Sequence, residues 1–385
     1  MNRSDFPYFS KTHPIYLDSA ATSLKPATVI NAITDYYTDP ANIGRSNYTR
    51  AGEVTAQFAA ARSTVAHLIN CRPDEIIFTS SATASLNAIM HFLQPIVGTQ
   101  DTIALTLYEH NSNYLPWVHL THISDCKLNF LAHDQPTCPP QTKLFSYALA
   151  DNVTGCQHHF PQFTKAVHQA DGWIAVDASQ VIGHYPVDVK QLDCDFLAFS
   201  GHKLYAPTGI GVLYVRHELQ AKLTPVVFGS ETFSQLDPVH HQFTLLDTPA
   251  KFEPGTPHIA GALGLATAID YLNNIGWDNI TTHFQTLKNA VRKQLATHNL
   301  TRYCVGYSGT MLSLAKPRLS PHDITMLLSD NYNINARGGR LCNDLYLQYL
   351  NLPSGVVRAS FGIYTTSEEI AQFCAAYSAV IKELA

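Results

Sequence analysis

Phe199-Ser200-Gly201-His202-Lys203-Leu204-Tyr205-Ala206-Pro207 continues the apolar run 196–199 and sets one lysine at the end of a buried strand, among small and polar groups. A lysine amine is protonated and unreactive at neutral pH until desolvation or neighbouring positive charge lowers its pKa. A deep pocket beside a carbonyl cofactor supplies that setting. Lys203 is therefore a candidate for a Schiff base, and Ser200 and His202 are candidates for holding a phosphate. Taken alone, the nonapeptide equally fits a surface lysine in a turn.

Upstream, Val176-Asp177-Ala178-Ser179-Gln180 closes a second apolar run, Trp173-Ile174-Ala175-Val176. A carboxylate at a strand end, one βαβ step before the lysine, suits a partner for a pyridine nitrogen. By itself Asp177 also fits a helix N-cap. Further β-rich runs at 75–79, 102–107, 143–149 and 210–215 alternate with helical patterns such as Val54, Phe58, Arg62, Val65 and Leu68. The pattern predicts an α/β fold with a mostly parallel sheet and helices on both faces. Such sheets bind ligands outside the carboxyl ends of their strands, where Asp177 and Lys203 fall. Ser80-Ser81-Ala82-Thr83-Ala84-Ser85 follows one strand and opens a helix, an arrangement that offers unpaired N–H groups to an anion or serves as a plain cap.

With these motifs, Tyr16-Leu17-Asp18-Ser19-Ala20-Ala21, Lys25-Pro26, Glu109-His110, Asn152-Val153, Phe252-Glu253-Pro254-Gly255-Thr256-Pro257, Arg337-Gly338-Gly339-Arg340-Leu341-Cys342 and Val357-Arg358-Ala359-Ser360 occur in one order along the chain. In that order they resemble the class V aminotransferase group of pyridoxal 5'-phosphate (PLP) enzymes, and within it the group II, Suf-type cysteine desulfurases and selenocysteine lyases. The resemblance implies PLP-dependent transferase fold type I. Residues 14–270 would form a large PLP-binding domain, and residues 1–13 with 271–385 a smaller α+β domain carrying the Cys342 loop and Arg358. Residues 229–251 read as an extended excursion that in the family often serves a dimer interface.

Roles follow from the same resemblance. Lys203 holds the cofactor aldehyde and Asp177 its ring nitrogen. His110 stacks on the ring, and Asn152 and Gln180 bond its hydroxyl oxygen; alone, either amide reads as a turn residue. Thr83, Ala82, Ser200 and His202 cradle the phosphate, with Ser81 standing where relatives commonly have glycine. Thr256 reaches the phosphate of a partner subunit in a homodimer. Arg358 grips the substrate carboxylate with its fork and Arg45 lies on a substrate-side loop, although an arginine between apolar neighbours also fits a structural ion pair.

Cys342 matches the nucleophile of the desulfurases, five residues after Arg337, with Gly338 and Gly339 permitting an unusual backbone and Arg337 and Arg340 favouring a thiolate. The implied reaction converts L-cysteine to L-alanine and leaves a persulfide on Cys342 for a protein sulfur acceptor, usually toward iron–sulfur cluster assembly. Selenocysteine lyase or another PLP-dependent C–S lyase of the same fold is the alternative, followed by a non-catalytic partner subunit. The chain departs from the family pattern around the nucleophile, where Arg340-Leu341 replaces histidines and Asn343-Asp344-Leu345 replaces an Ala-x-Pro-like sequence. Gly44-Arg45-Ser46-Asn47-Tyr48 likewise lacks the usual histidines.

Composition fits a globular enzyme. Hydrophobic residues make up 45% of 385 and charged residues 14%, and a net charge of −5 leaves no basic footprint for nucleic acid. Eight cysteines without a Cys-x-x-Cys pair argue against a zinc ribbon or disulfide scaffold, and suggest reduced cytoplasmic thiols. Of nineteen histidines, His119 with His122 and the doublets His158-His159 and His240-His241 lack the companions of a tetrahedral set, so no metal is expected. The N-terminus has no apolar signal core and no run approaches a membrane span, giving a cytoplasmic expectation.

Overall fold

Alternate residues of Trp173–Asp177 face opposite ways, and both ways are dry. Trp173 and Ala175 join one hydrophobic cluster, Ile174 and Val176 the other. That is why this strand, and Phe196–Ser200 like it, reads as an unbroken apolar run: a strand covered on both faces has no polar side to alternate with.

The computed structural model describes residues 2–11, 13–44, 46–131 and 139–384. After a short β1 (Ile15–Tyr16) come β2 (Ile76–Thr79), β3 (Thr102–Thr106), β4 (Lys127–Leu131), β5 (Thr142–Ala148), β6 (Trp173–Asp177), β7 (Phe196–Ser200) and β8 (Gly211–Val215). β2 to β8 make one sheet in the order β2-β8-β7-β6-β5-β3-β4. The pairs from β7 to β4 are parallel, while β8 runs antiparallel to both its neighbours. Helices Ala82–Leu93 and Leu115–Ser124 bury Leu86, Ile89, Trp117 and Leu120 on one face. Thr49–Leu68, Pro161–Gln169 and Ile259–Ile275 bury Val54, Phe58, Val167 and Leu265 on the other. Each such side chain stabilises the fold by about 1.5 to 3 kcal/mol.

Beyond the sheet, β9 (Phe233–Asp237) and β10 (Gln242–Leu245) form a largely exposed hairpin. The C-terminal part holds β11 (Cys304–Tyr307), β12 (Met311–Leu314), β13 (Ile334–Asn335), β14 (Arg337–Gly339) and β15 (Val356–Ser360). β11, β12, β15 and β14 make an antiparallel sheet in that order. Helices Trp277–Thr297, Pro321–Tyr332 and Ser367–Glu383 pack against it and one another. β1 pairs with β13, and Asp18 bridges to Ser360. The N-terminal segment thus runs along the C-terminal sheet and delivers residues 18–21 to the carboxyl ends of the large one.

Candidate active site

The strand ends and the C-terminal sheet enclose a cavity of about 300 Å³. Asp177 ends β6, in register with Ala148 of β5 and Ala198 of β7. Lys203 occupies the 3-10 turn Gly201–Lys203 directly after β7. Of the residues expected from sequence, Lys203, Asp177, Gln180, Asn152, His110, Thr83, Ala82, Ser200, His202, Cys342 and Arg358 all line this cavity. Thr256 lies outside it, in a second cavity shared with Gly44, Arg62 and Glu253. Arg45 lies outside the described residues.

One wall is the start of helix Ala82–Leu93. Ser81 Oγ caps it, accepting from Ala84 N at 3.1 Å, and Ala82 N donates to Ser200 Oγ at 2.8 Å. Thr83 and Ser112 hydroxyls meet at 2.8 Å. Gly211 makes this approach possible, since a Cβ there would lie 2.5 Å from Ser81 backbone. Hydroxyls at a helix N-terminus suit a phosphate. Nearby, Lys25 Nζ donates to Thr22 Oγ1 at 2.9 Å and to the carbonyl of Ser23; desolvation draws its pKa down to about 8.

Burial, and then the charge of Lys203, push His110 down to about 4, so its ring is neutral at pH 7. Its Nδ1 accepts from Ser112 N at 3.1 Å, which assigns the proton to Nε2. Burial, with Lys203 and Lys25, likewise lowers His202 to about 4. Lys203 is itself shifted down, by desolvation first and by Arg358 next, against an opposing Asp177. Its ammonium has no hydrogen bond or ion pair among the described residues. An amine pushed toward neutrality and left unengaged in a cavity is a nucleophile awaiting a carbonyl.

Among the described residues, Ser179 Oγ and Arg358 Nε are buried polar atoms of this cavity that also lack partners. Asp177 Oδ1 accepts from Ser179 N at 2.9 Å, leaving the rest of the carboxylate to the cavity. Arg358 is 3% exposed and desolvation pulls its pKa down to about 10. Its Nη1 donates to Asn152 O at 2.7 Å. The residues fit PLP: a helix start with hydroxyls, an unengaged lysine, a flat neutral ring and a carboxylate at neighbouring strand ends, with two polar atoms awaiting partners.

Asp18, which the sequence motif alone did not single out, contacts two arginines that line the cavity. It accepts from Arg337 Nη2 at 3.0 Å and stands 3.5 Å from Arg358 Nη2. Asn152, expected on a ring hydroxyl, has both ends of its amide engaged. Nδ2 donates to Leu341 O and Oδ1 accepts from Asn343 Nδ2, each at 2.8 Å. Gln180 Nε2 donates to Ala20 O at 3.2 Å.

Cys342 is exposed at the rim and is the one cysteine among the described residues that lines the cavity. The unusual backbone falls on Gly339, at φ +109°, and on Leu341 and Cys342, at +55° and +52°, where without glycine it costs about 1 to 3 kcal/mol each. Gly338 serves a different need: a Cβ there would stand 2.4 Å from Pro321 O. Arg337 lies within electrostatic reach of Cys342, whereas Arg340 is paired with Asp344 at 2.5 Å.

Among the described residues no cluster of three or more His, Cys, Asp or Glu is placed to hold a metal. The family model Aminotransferase class-V matches residues 15–373. A Streptomyces coelicolor protein named "Probable cysteine desulfurase" is 36% identical, the match covering 96% of this chain and 93% of that protein. The apo structure of a cysteine desulfurase from Thermococcus onnurineus superposes with a TM-score of 0.92 at 33% identity, covering 99% of this chain and 97% of that one. The Escherichia coli cysteine desulfurase CsdA gives 0.89 at 30% identity, covering 99% and 98%.

Proposed function

Since this chain belongs to the class-V aminotransferase family of PLP-dependent enzymes, we propose that it is a cysteine desulfurase, taking sulfur from L-cysteine onto Cys342 and releasing L-alanine. The observation that carries the reading is the meeting of Cys342, Lys203 and Arg358 on one cavity. Bound PLP supplies an electron sink that makes the substrate Cα proton acidic and the Cβ–S bond labile.

This chain's residues do the rest. Arg358 receives the substrate carboxylate and thereby orients the Cα bonds. Lys203 Nζ, its pKa drawn down by burial, would take the Cα proton and later return one to the alanine product. Asp177 would hold the proton on the cofactor nitrogen, and His110, neutral at pH 7, would supply a flat uncharged wall beside it. Cys342 Sγ attacks the substrate sulfur: the S–S bond forms as Cβ–S breaks, and that bond's electron pair stays with carbon, which is protonated to alanine.

The persulfide then passes to an acceptor protein, with iron–sulfur cluster assembly as its destination. We read the protein as a cytoplasmic homodimer in which Thr256 serves the partner's phosphate, a reading supported by its place outside its own chain's cavity. No helix among the described residues is long and apolar enough to cross a membrane. The large domain is residues 14–270 and the small one 1–13 with 271–385, carrying Cys342 and Arg358.

The test is alanine and sulfide release from cysteine under a reductant, with mass spectrometry of the Cys342 peptide. Wild type should add one sulfur to that peptide, and Cys342→Ala should bind cysteine yet stop before sulfur transfer. Release at the wild-type rate by Cys342→Ala, with no persulfide in the wild type, overturns the reading.

A further inference from the structure

The nucleophile loop is gripped by the large sheet at three consecutive residues. Leu341 O accepts from Asn152 Nδ2 at 2.8 Å and Cys342 O from Asn111 N at 2.7 Å. Asn343, fully buried, sends its Nδ2 to Tyr108 O at 2.9 Å and to Asn152 Oδ1 at 2.8 Å. Asn111 Nδ2 also donates to Asp344 Oδ2 at 2.7 Å, and the Tyr108 and Tyr346 rings meet edge to face at 5.0 Å. Two successive left-handed residues without glycine persist only where surrounding contacts over-determine them, and this network does so.

Taking Cys342 as the nucleophile of the proposed desulfurase, we propose that Asn343 is a positioning residue that pins the Cys342 loop to the strand ends at Tyr108 and Asn152. Its role as helix cap does not account for this geometry. Asn343 Oδ1 caps helix Asp344–Tyr349 by accepting from Tyr346 N at 3.3 Å, which needs an acceptor only. The two donations from Nδ2 point away from that helix, to the segments that follow β3 and β5. A cap residue has no use for them.

Asn343→Asp separates the two roles, because it keeps a cap oxygen and loses both donations. Asn343→Ala loses everything. In the PLP-loaded wild type, the Asn111 amide, which donates to Cys342 O, and the Asn343 amide, which donates to Arg340 O, should be protected from deuterium exchange. Both variants should exchange there at least tenfold faster, and their Cys342 should be alkylated faster by iodoacetamide. The first-order rate of sulfur loading onto Cys342 should fall about tenfold, with KM for cysteine unchanged because Arg358 is untouched. Wild-type behaviour in Asn343→Asp reduces Asn343 to a cap and overturns the proposal, as does free exchange of the Asn111 and Asn343 amides in the wild type itself. Exchange and alkylation need no turnover, so a wild type that never forms a persulfide fails the desulfurase reading while leaving the pinning result readable.

Discussion

Arg337 and Arg358 are register partners across β14 and β15, so two guanidiniums stand side by side at the cavity mouth. Like charges directly opposite on a sheet repel. Asp18, brought in by the bridge to Ser360, offsets them with its contacts to both.

This pairing divides the labour between the arginines. Arg337 is spent on Asp18, while Arg358 has Nη1 on Asn152 O and leaves its Nε side to a carboxylate. Arg358→Lys should therefore lower kcat/KM for cysteine by about ten- to a hundredfold, the worth of one charged hydrogen bond, chiefly through KM. Arg337→Lys should cost less. Steady-state kinetics of both variants decide it, and a larger loss in Arg337→Lys would move the carboxylate site to Arg337.

Much of this arrangement was legible in the chain, for a physical reason. β6 and β7 are buried on both faces, so their apolar runs give their limits to the residue. β4 went unpredicted because it is an edge strand whose Lys127 and Asn129 face solvent, and its five residues look like loop. Residues 229–251 showed weak periodicity because their hairpin buries almost nothing within the chain. The strand ends could be read for Lys203 and Asp177, each next to its own apolar run. Asp18 and Asn343 could not be read this way, since their roles exist only once distant segments meet: 18 with 337 and 358, and 343 with 108 and 152.

Glu109 gives a pH signature. Its carboxyl is fully buried, accepting from Asn113 Nδ2 at 2.5 Å and Ala148 N at 3.1 Å, and desolvation pushes its pKa up to about 8. Asn113 is fixed in that orientation because its Oδ1 accepts from Trp117 and Ser146. Between the ordinary value of 4.5 and about 8 the folded protein keeps a proton that the unfolded chain has released. The stability contributed by this group is thus complete below 4.5 and lost as pH rises through 8. Thermal melts from pH 6 to 9 should show Tm falling more steeply in wild type than in Glu109→Gln. Equal slopes would mean that Glu109 is ionised in the folded state.

Asp177→Asn isolates charge from shape. Asp177 Oδ1 accepts a hydrogen bond from Ser179 N, and an asparagine oxygen at the same place still accepts it, so the end of β6 keeps its local structure. What the amide cannot do is balance a positive charge on the cofactor nitrogen, because it carries no negative charge. The variant should retain PLP through dialysis, read from its visible absorbance, since Lys203 and the helix start at Ala82 are intact. Its kcat should nevertheless fall by at least about a hundredfold, the low end of what a well-placed proton-handling group contributes. KM should change little, because Arg358, proposed to receive the carboxylate, is unchanged. Wild-type kcat in a fully loaded Asp177→Asn enzyme would reduce Asp177 to a turn residue and detach the electron-sink role from β6. Loss of PLP with normal folding would instead show that the carboxylate anchors the cofactor more than it tunes it, and kcat per bound PLP then separates the two effects.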